Sequence, residues 1–175
     1  MNKSLPLEKE IIDDFRSEAN VLLKELRDII DKLEEPTESF PKELLQEFGN
    51  KTDRIMGAAK TFHQMHPNHL VFEQISKFAE LCKATSYKAS TLNHLTLIPI
   101  FTAFWADTVD IMQELVDNVG DDEKLKQVTQ DYIPTLQKRL VWLAQQIVSI
   151  TKGSGKAEEA KINVDGLLRK MGIIV

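Results

Sequence analysis

The apolar spacing of residues 7–35 limits the fold more than any other feature of this chain. Ile12, Phe15, Ala19, Leu22, Leu26, Ile29 and Leu33 follow one another at steps of three and four without a break. That is the helical period, and it draws one apolar stripe along about seven turns. A helix with one such side has to be covered by other elements. Asp13 and Asp14 stand early and Lys32 late, the order of charge that the helix dipole favours. Pro36 predicts the end of the segment, because the residue before a proline is pushed out of the helical region.

The same period recurs downstream. Pro41 suits the first turn of a second helix that runs through Leu44, Leu45 and Phe48 to about Met65, where Pro67 stops it. The connection 66–68 is tight, so a third helix over 70–89 folds back antiparallel, with Val71, Ile75, Phe78 and Cys82 inward. Residues 90–97 read as a polar turn. A fourth helix opens at Pro99 and carries Phe101, Phe104, Trp105, Val109, Met112, Leu115 and Val116 towards Gly120. Its aromatic residues are expected to pack the core. A fifth spans 121–152, with Asp121, Asp122 and Glu123 at its start. Pro134 predicts a kink there, since proline removes a helix hydrogen bond. Leu136, Leu140, Leu143, Ile147 and Ile150 form a stripe that either lies along the other helices or pairs with a second copy in a homodimer.

Residues 153–161, GSGKAEEAK, have linker composition. Beyond them, Asn163 can cap a short helix with Val164, Leu167, Leu168 and Met171 on one face, Arg169 and Lys170 near its end and Gly172 as its stop. Two turns are unstable alone in water, so this tail needs a surface, either on its own chain or on a partner. The expected fold class is therefore all-α. An antiparallel four-helix bundle occupies 1–120, followed by a long fifth helix (121–152), a linker (153–161) and a flexible amphipathic docking tail (162–175).

Composition removes several function classes. Hydrophobic residues make up 42% and charged residues 28%, the balance of an ordinary globular protein. A net charge of −5 and no basic stripe speak against nucleic acid. No uninterrupted apolar run reaches the length of a membrane span and the first ten residues are too charged for a secretion signal, so no membrane and a cytoplasmic location are expected. The single cysteine, Cys82, excludes an internal disulfide framework and reads as a small core residue.

Chemical signatures are sparse. The chain has no phosphate-binding glycine loop, no zinc spacing of cysteines and no nucleophile elbow, so no cofactor and no metal are expected. His63, His66 and His69 gather with Glu73, but Pro67 separates the first two from the third. Asp53 with Asn50, and Glu123 with Gln127, are acid–amide pairs of the kind common on solvated helix faces. The stretch 47–63 is more informative. Phe48, Thr52, Ile55, Ala59 and Phe62 turn inward, leaving Asn50, Asp53, Arg54, Met56, Gly57 and Lys60 on the other side. Glycine in a helix costs about 1 kcal/mol relative to alanine. Gly57 therefore serves either clearance for a molecule approaching Asp53 or the close packing of a neighbouring helix.

Taken together, IIDDFRSEANVLLKELRDIIDKLEE, the proline loop, GAAKTF and LVFEQISKFAELCKA resemble the histidine-containing phosphotransfer family, over about residues 7–119. In that family the second helix carries His-x-x-Lys-Gly: the histidine takes the phosphoryl group, the lysine helps its charge and the glycine clears space for a receiver domain. Setting the family's glycine on Gly57 puts Asp53 at the histidine position and Met56 at the lysine position. The resemblance thus implies a degenerate domain that keeps the docking surface and has lost the relay group. VDGLLRKMG is similar to the C-terminal peptide of the chemotaxis phosphatase CheZ, which docks as a short helix on a CheY-like receiver; Val164, Asp165, Leu167, Leu168 and Gly172 match. The phosphatase's Asp-x-x-x-Gln spacing is absent. These resemblances imply a non-catalytic two-component signalling protein that binds a CheY-like receiver or another response regulator. Its contacts would be Asn50, Asp53, Arg54, Gly57 and Lys60 on the body and Val164, Asp165, Leu167, Leu168 and Met171 on the tail. Two alternatives stay open: a receiver phosphatase using Asp53 with Asn50 or Gln64, and a structural helical adaptor.

Overall fold

The computed structural model describes residues 7–152 and 161–170. Its elements are α1 (Lys9–Glu34), α2 (Lys42–Met65), α3 (Leu70–Leu92), a 3-10 turn (Leu95–Leu97), α4 (Ile98–Asp117), α5 (Asp122–Thr151) and α6 (Val164–Lys170). Among the described residues there is no strand, so the class is all-α, as expected. α1 lies against α2 and α4, α2 against α3, α3 against α4, and α5 against α4.

The stripe of α1 is buried from Phe15 to Leu33, joined by Leu23 and Ile30. The core it faces is aromatic at both levels. Phe15 meets Phe62 and Phe72 edge-on at ring distances of 4.9 and 4.8 Å, while Trp105 stacks on Phe48 at 4.5 Å and on Phe101 at 5.5 Å. The indole N–H of Trp105 donates to Thr85 Oγ1 at 2.8 Å, and the Thr85 hydroxyl donates onward to the Leu81 carbonyl at 2.8 Å. Both polar groups of this buried pair are thereby satisfied.

The turn from α4 to α5 is fixed by two local devices. Gly120 has φ +93°, a conformation that favours glycine, and a Cβ there would fall 2.7 Å from the tip of Ile12, Cδ1, and displace it. Arg16 on α1 donates through Nε to the Val116 carbonyl at 3.1 Å and through Nη2 to that of Val119 at 3.1 Å, serving acceptors that a helix end leaves open. Asp121 then caps α5, its Oδ1 accepting from the Lys124 N–H at 3.1 Å.

Three features refine the sequence reading. α3 continues past residue 89 to Leu92 and ends at Asn93 in the left-handed region, φ 49°. Burial of Ala89 and Leu92 outweighs the serine- and threonine-rich composition there. α5 is one helix through Pro134, anchored by Leu125 and Val128 before the proline and by Leu136, Leu140, Leu143 and Ile147 after it. Because those last four side chains are buried within this chain, they are not a face left open to a second copy. Finally, Leu95–Asp117 is long and apolar enough to cross a membrane, but 56% of its most apolar window is buried within the chain, as befits a core helix.

Replacing Thr85 with valine keeps the shape and leaves the Trp105 N–H buried without an acceptor. A loss of about 1–3 kcal/mol is expected in urea unfolding, with part of it recovered when Trp105→Phe is added to the same chain.

Candidate functional site

The inward side of α2 buries Leu45, Phe48, Thr52, Ile55 and Ala59, which forces the opposite side out. Asn50, Asp53, Arg54, Gly57 and Lys60 are all exposed. At offsets of three and four they form a line about 15 Å long on the helix. A Cβ built on Gly57 would meet nothing within 4 Å. No neighbouring helix packs there, so close helix packing does not account for this glycine.

α3 adds a residue to this face that the spacing of α2 could not reveal. Lys83 Nζ lies 2.6 Å from Asp53 Oδ1. Both side chains are about half exposed (47% and 50%), so the pair adds no more than about 1 kcal/mol to stability. Its consequence is local: the carboxylate at the centre of the face carries its own counter-cation. Beside the pair, α2 and α3 enclose a groove of about 450 Å³ whose walls include Gln46, Asn50, Asp53, Lys83 and Ser90. The helices approach closely at its floor, where a Cβ on Gly49 would sit 3.4 Å from Ser86 Oγ. Tyr87 stands on the rim, 76% exposed.

Other sequence candidates fall apart from this site. Gln64 is exposed in the last turns of α2, eleven residues or about 16 Å beyond Asp53, so the two do not serve one reacting group. Glu123 and Gln127 are exposed on α5, which packs on α4. Among the described residues no three His, Cys, Asp or Glu side chains are placed to hold a metal ion. Glu73 is instead bonded to Lys77 Nζ at 2.7 Å. That bond, opposed by partial burial and aided by the charges of Lys77 and His63, lowers the pKa of its carboxyl. Cys82 is fully buried, and burial pushes its thiol up to about 12, which removes it as a nucleophile. Asp107 on α4 is raised, chiefly by burial, against the pull of Arg139. Arg139 Nε contacts it at 3.1 Å, so this carboxylate ties α4 to α5.

The tail helix is seated on its own chain. Asn163 Oδ1 accepts from the Gly166 N–H at 2.8 Å, the cap expected from the sequence. Leu168 is buried, Val164 and Leu167 are half-buried, and Asp165 is exposed. α6 contacts α5, and Lys170 Nζ reaches Glu80 Oε1 on α3 at 3.2 Å. Residues 153–160 of the expected linker (153–161), the expected contact Met171 and the matched Gly172 lie outside the described residues. Comparison with protein-family models, curated proteins and solved structures yields no match for this chain.

Since nothing stands near Gly57, Gly57→Ala is expected to raise stability by about 1 kcal/mol, read as a higher urea midpoint with unchanged slope.

Proposed function

We propose that this chain is a non-catalytic signalling protein of a two-component or chemotaxis pathway, in which a phosphotransfer-like helical bundle and a C-terminal peptide bind a response-regulator receiver domain. The observation that carries this reading is the open space over Gly57, one turn from Asp53 on an exposed face. A glycine that destabilises its helix, and beside which a Cβ would meet no neighbour, is explained by a molecule that has to come close. The cycle of contacts from α1 to α2, α2 to α3, α3 to α4 and α4 to α1 supports an antiparallel four-helix bundle beneath that face, with α5 added outside α4.

Asp53 in place of a histidine has no ring nitrogen to carry a phosphoryl group, so the face recognises and does not relay. Lys83 offsets its charge, while Arg54 and Lys60 on the same line add cations. A surface of mixed sign suits a reversible, polar contact. Hydrolysis of a receiver's phosphate is the second reading. It draws on Asn50 and Asp53 sharing a groove with the Lys83 ammonium, and it no longer includes Gln64.

The test is binding of the full chain to a panel of isolated receiver domains, free or trapped with beryllofluoride. Gly57→Gln fills the clearance with a neutral, helix-favouring side chain. At least about a tenfold loss of receiver affinity is expected, with the unfolding midpoint retained or raised. Unchanged affinity would remove the α2 face from the interface. Faster dephosphorylation of a phosphorylated receiver would support hydrolysis, and binding to no receiver would leave a helical adaptor.

A further inference from the structure

Three of the residues assigned to receiver capture on the tail, Val164, Leu167 and Leu168, are already in use within the chain. Leu168 is 5% exposed, and Val164 and Leu167 pack beside it against the core. The first turn of α6 faces Ala144, Val148 and Lys152 of α5, while Leu167 and Lys170 at its far end meet Lys77, Glu80 and Leu81 of α3. A two-turn helix has one apolar face, and that face cannot cover two surfaces at once.

Resting on the receiver-binding reading, we propose that α6 is a self-docked latch: the tail is held on the α3–α5 seam by the same side chains that would hold a receiver, and its release controls capture. Residues 152–163 join α6 to α5, a tether short enough to give the body an effective concentration for its own tail in about the millimolar range. A free receiver has to compete with that. The apparent affinity of the tail is reduced by the fraction of chains in which it is undocked, so a latch closed about ten to one weakens capture about tenfold. The Lys170–Glu80 pair, open to solvent at the end of the latch, is the contact a change of charge can loosen without touching the core.

The experiment locks and opens the latch in the full chain. Glu80→Cys with Lys170→Cys provides two thiols where the ion pair stands, to be joined by a short bismaleimide. Cys82 is buried with its thiol held up at about 12, so it does not compete for the reagent. The same chain capped with N-ethylmaleimide is the open control, and beryllofluoride-trapped receiver domains are the probe. The joined chain is expected to bind at least about tenfold more weakly than the capped one, and Glu80→Lys to bind more tightly than the original chain. Equal binding by joined and capped chains would overturn the latch. Leu168→Asp, which spoils the tail for either surface, separates the causes. If it leaves receiver affinity unchanged, the tail takes no part and the latch fails while the α2 face stands. If no form binds any receiver, the receiver reading falls and the latch with it.

Discussion

The indole of Trp105 joins three helices in one contact. It stacks between Phe48 of α2 and Phe101 of its own helix, and hands its N–H to Thr85 of α3. Its burial contributes apolar area, and its hydrogen bond adds direction that apolar burial lacks. α2 and α3 are thereby set in register against α4, which brings Gly49 close to Ser86 and carries Lys83 to Asp53. The exposed face is a consequence of this buried contact: once Phe48, Thr52 and Ile55 are committed inward, Asn50, Asp53 and Gly57 have no other place to go.

What stabilises the molecule and what equips the face are separate sets of residues. The aromatic and aliphatic interior supplies the large favourable term, while the Asp53–Lys83 pair is half exposed and adds little. Gly57 subtracts from helix stability and returns nothing to the core. A residue that costs stability and adds nothing to the core fits a surface kept for something outside the chain, the pattern expected where function departs from the best local choice.

α6 follows the opposite logic. Too short to persist alone, it is helical here because the α3–α5 seam receives its apolar face and Glu80 receives Lys170. Its amphipathic pattern is generic enough to suit a partner's groove as well, and that ambiguity makes a competition between two surfaces possible.

The helices were legible in the sequence because burial imposes a period of 3.6 residues, and that period survives in Ile12–Leu33, in Phe48–Phe62 and in Leu136–Ile147 whatever the neighbours are. Asn163 and Asp121 were legible as caps or first-turn acids because a cap is a local bond within one turn. The same locality explains the inference that Gly57 needed a reason. That no neighbouring helix packs on it was a tertiary matter, visible in the empty space above it. Lys83 was invisible beforehand because a lysine thirty residues from Asp53 meets it only after α3 has folded back along α2. The true end of α3 was hidden for a similar reason: burial of Leu92 outweighed local composition. The sequence by itself determined an all-helical chain with a glycine-marked outer face. Only the tertiary structure decided what stands beside Asp53 and where the tail rests, because both depend on which helices become neighbours.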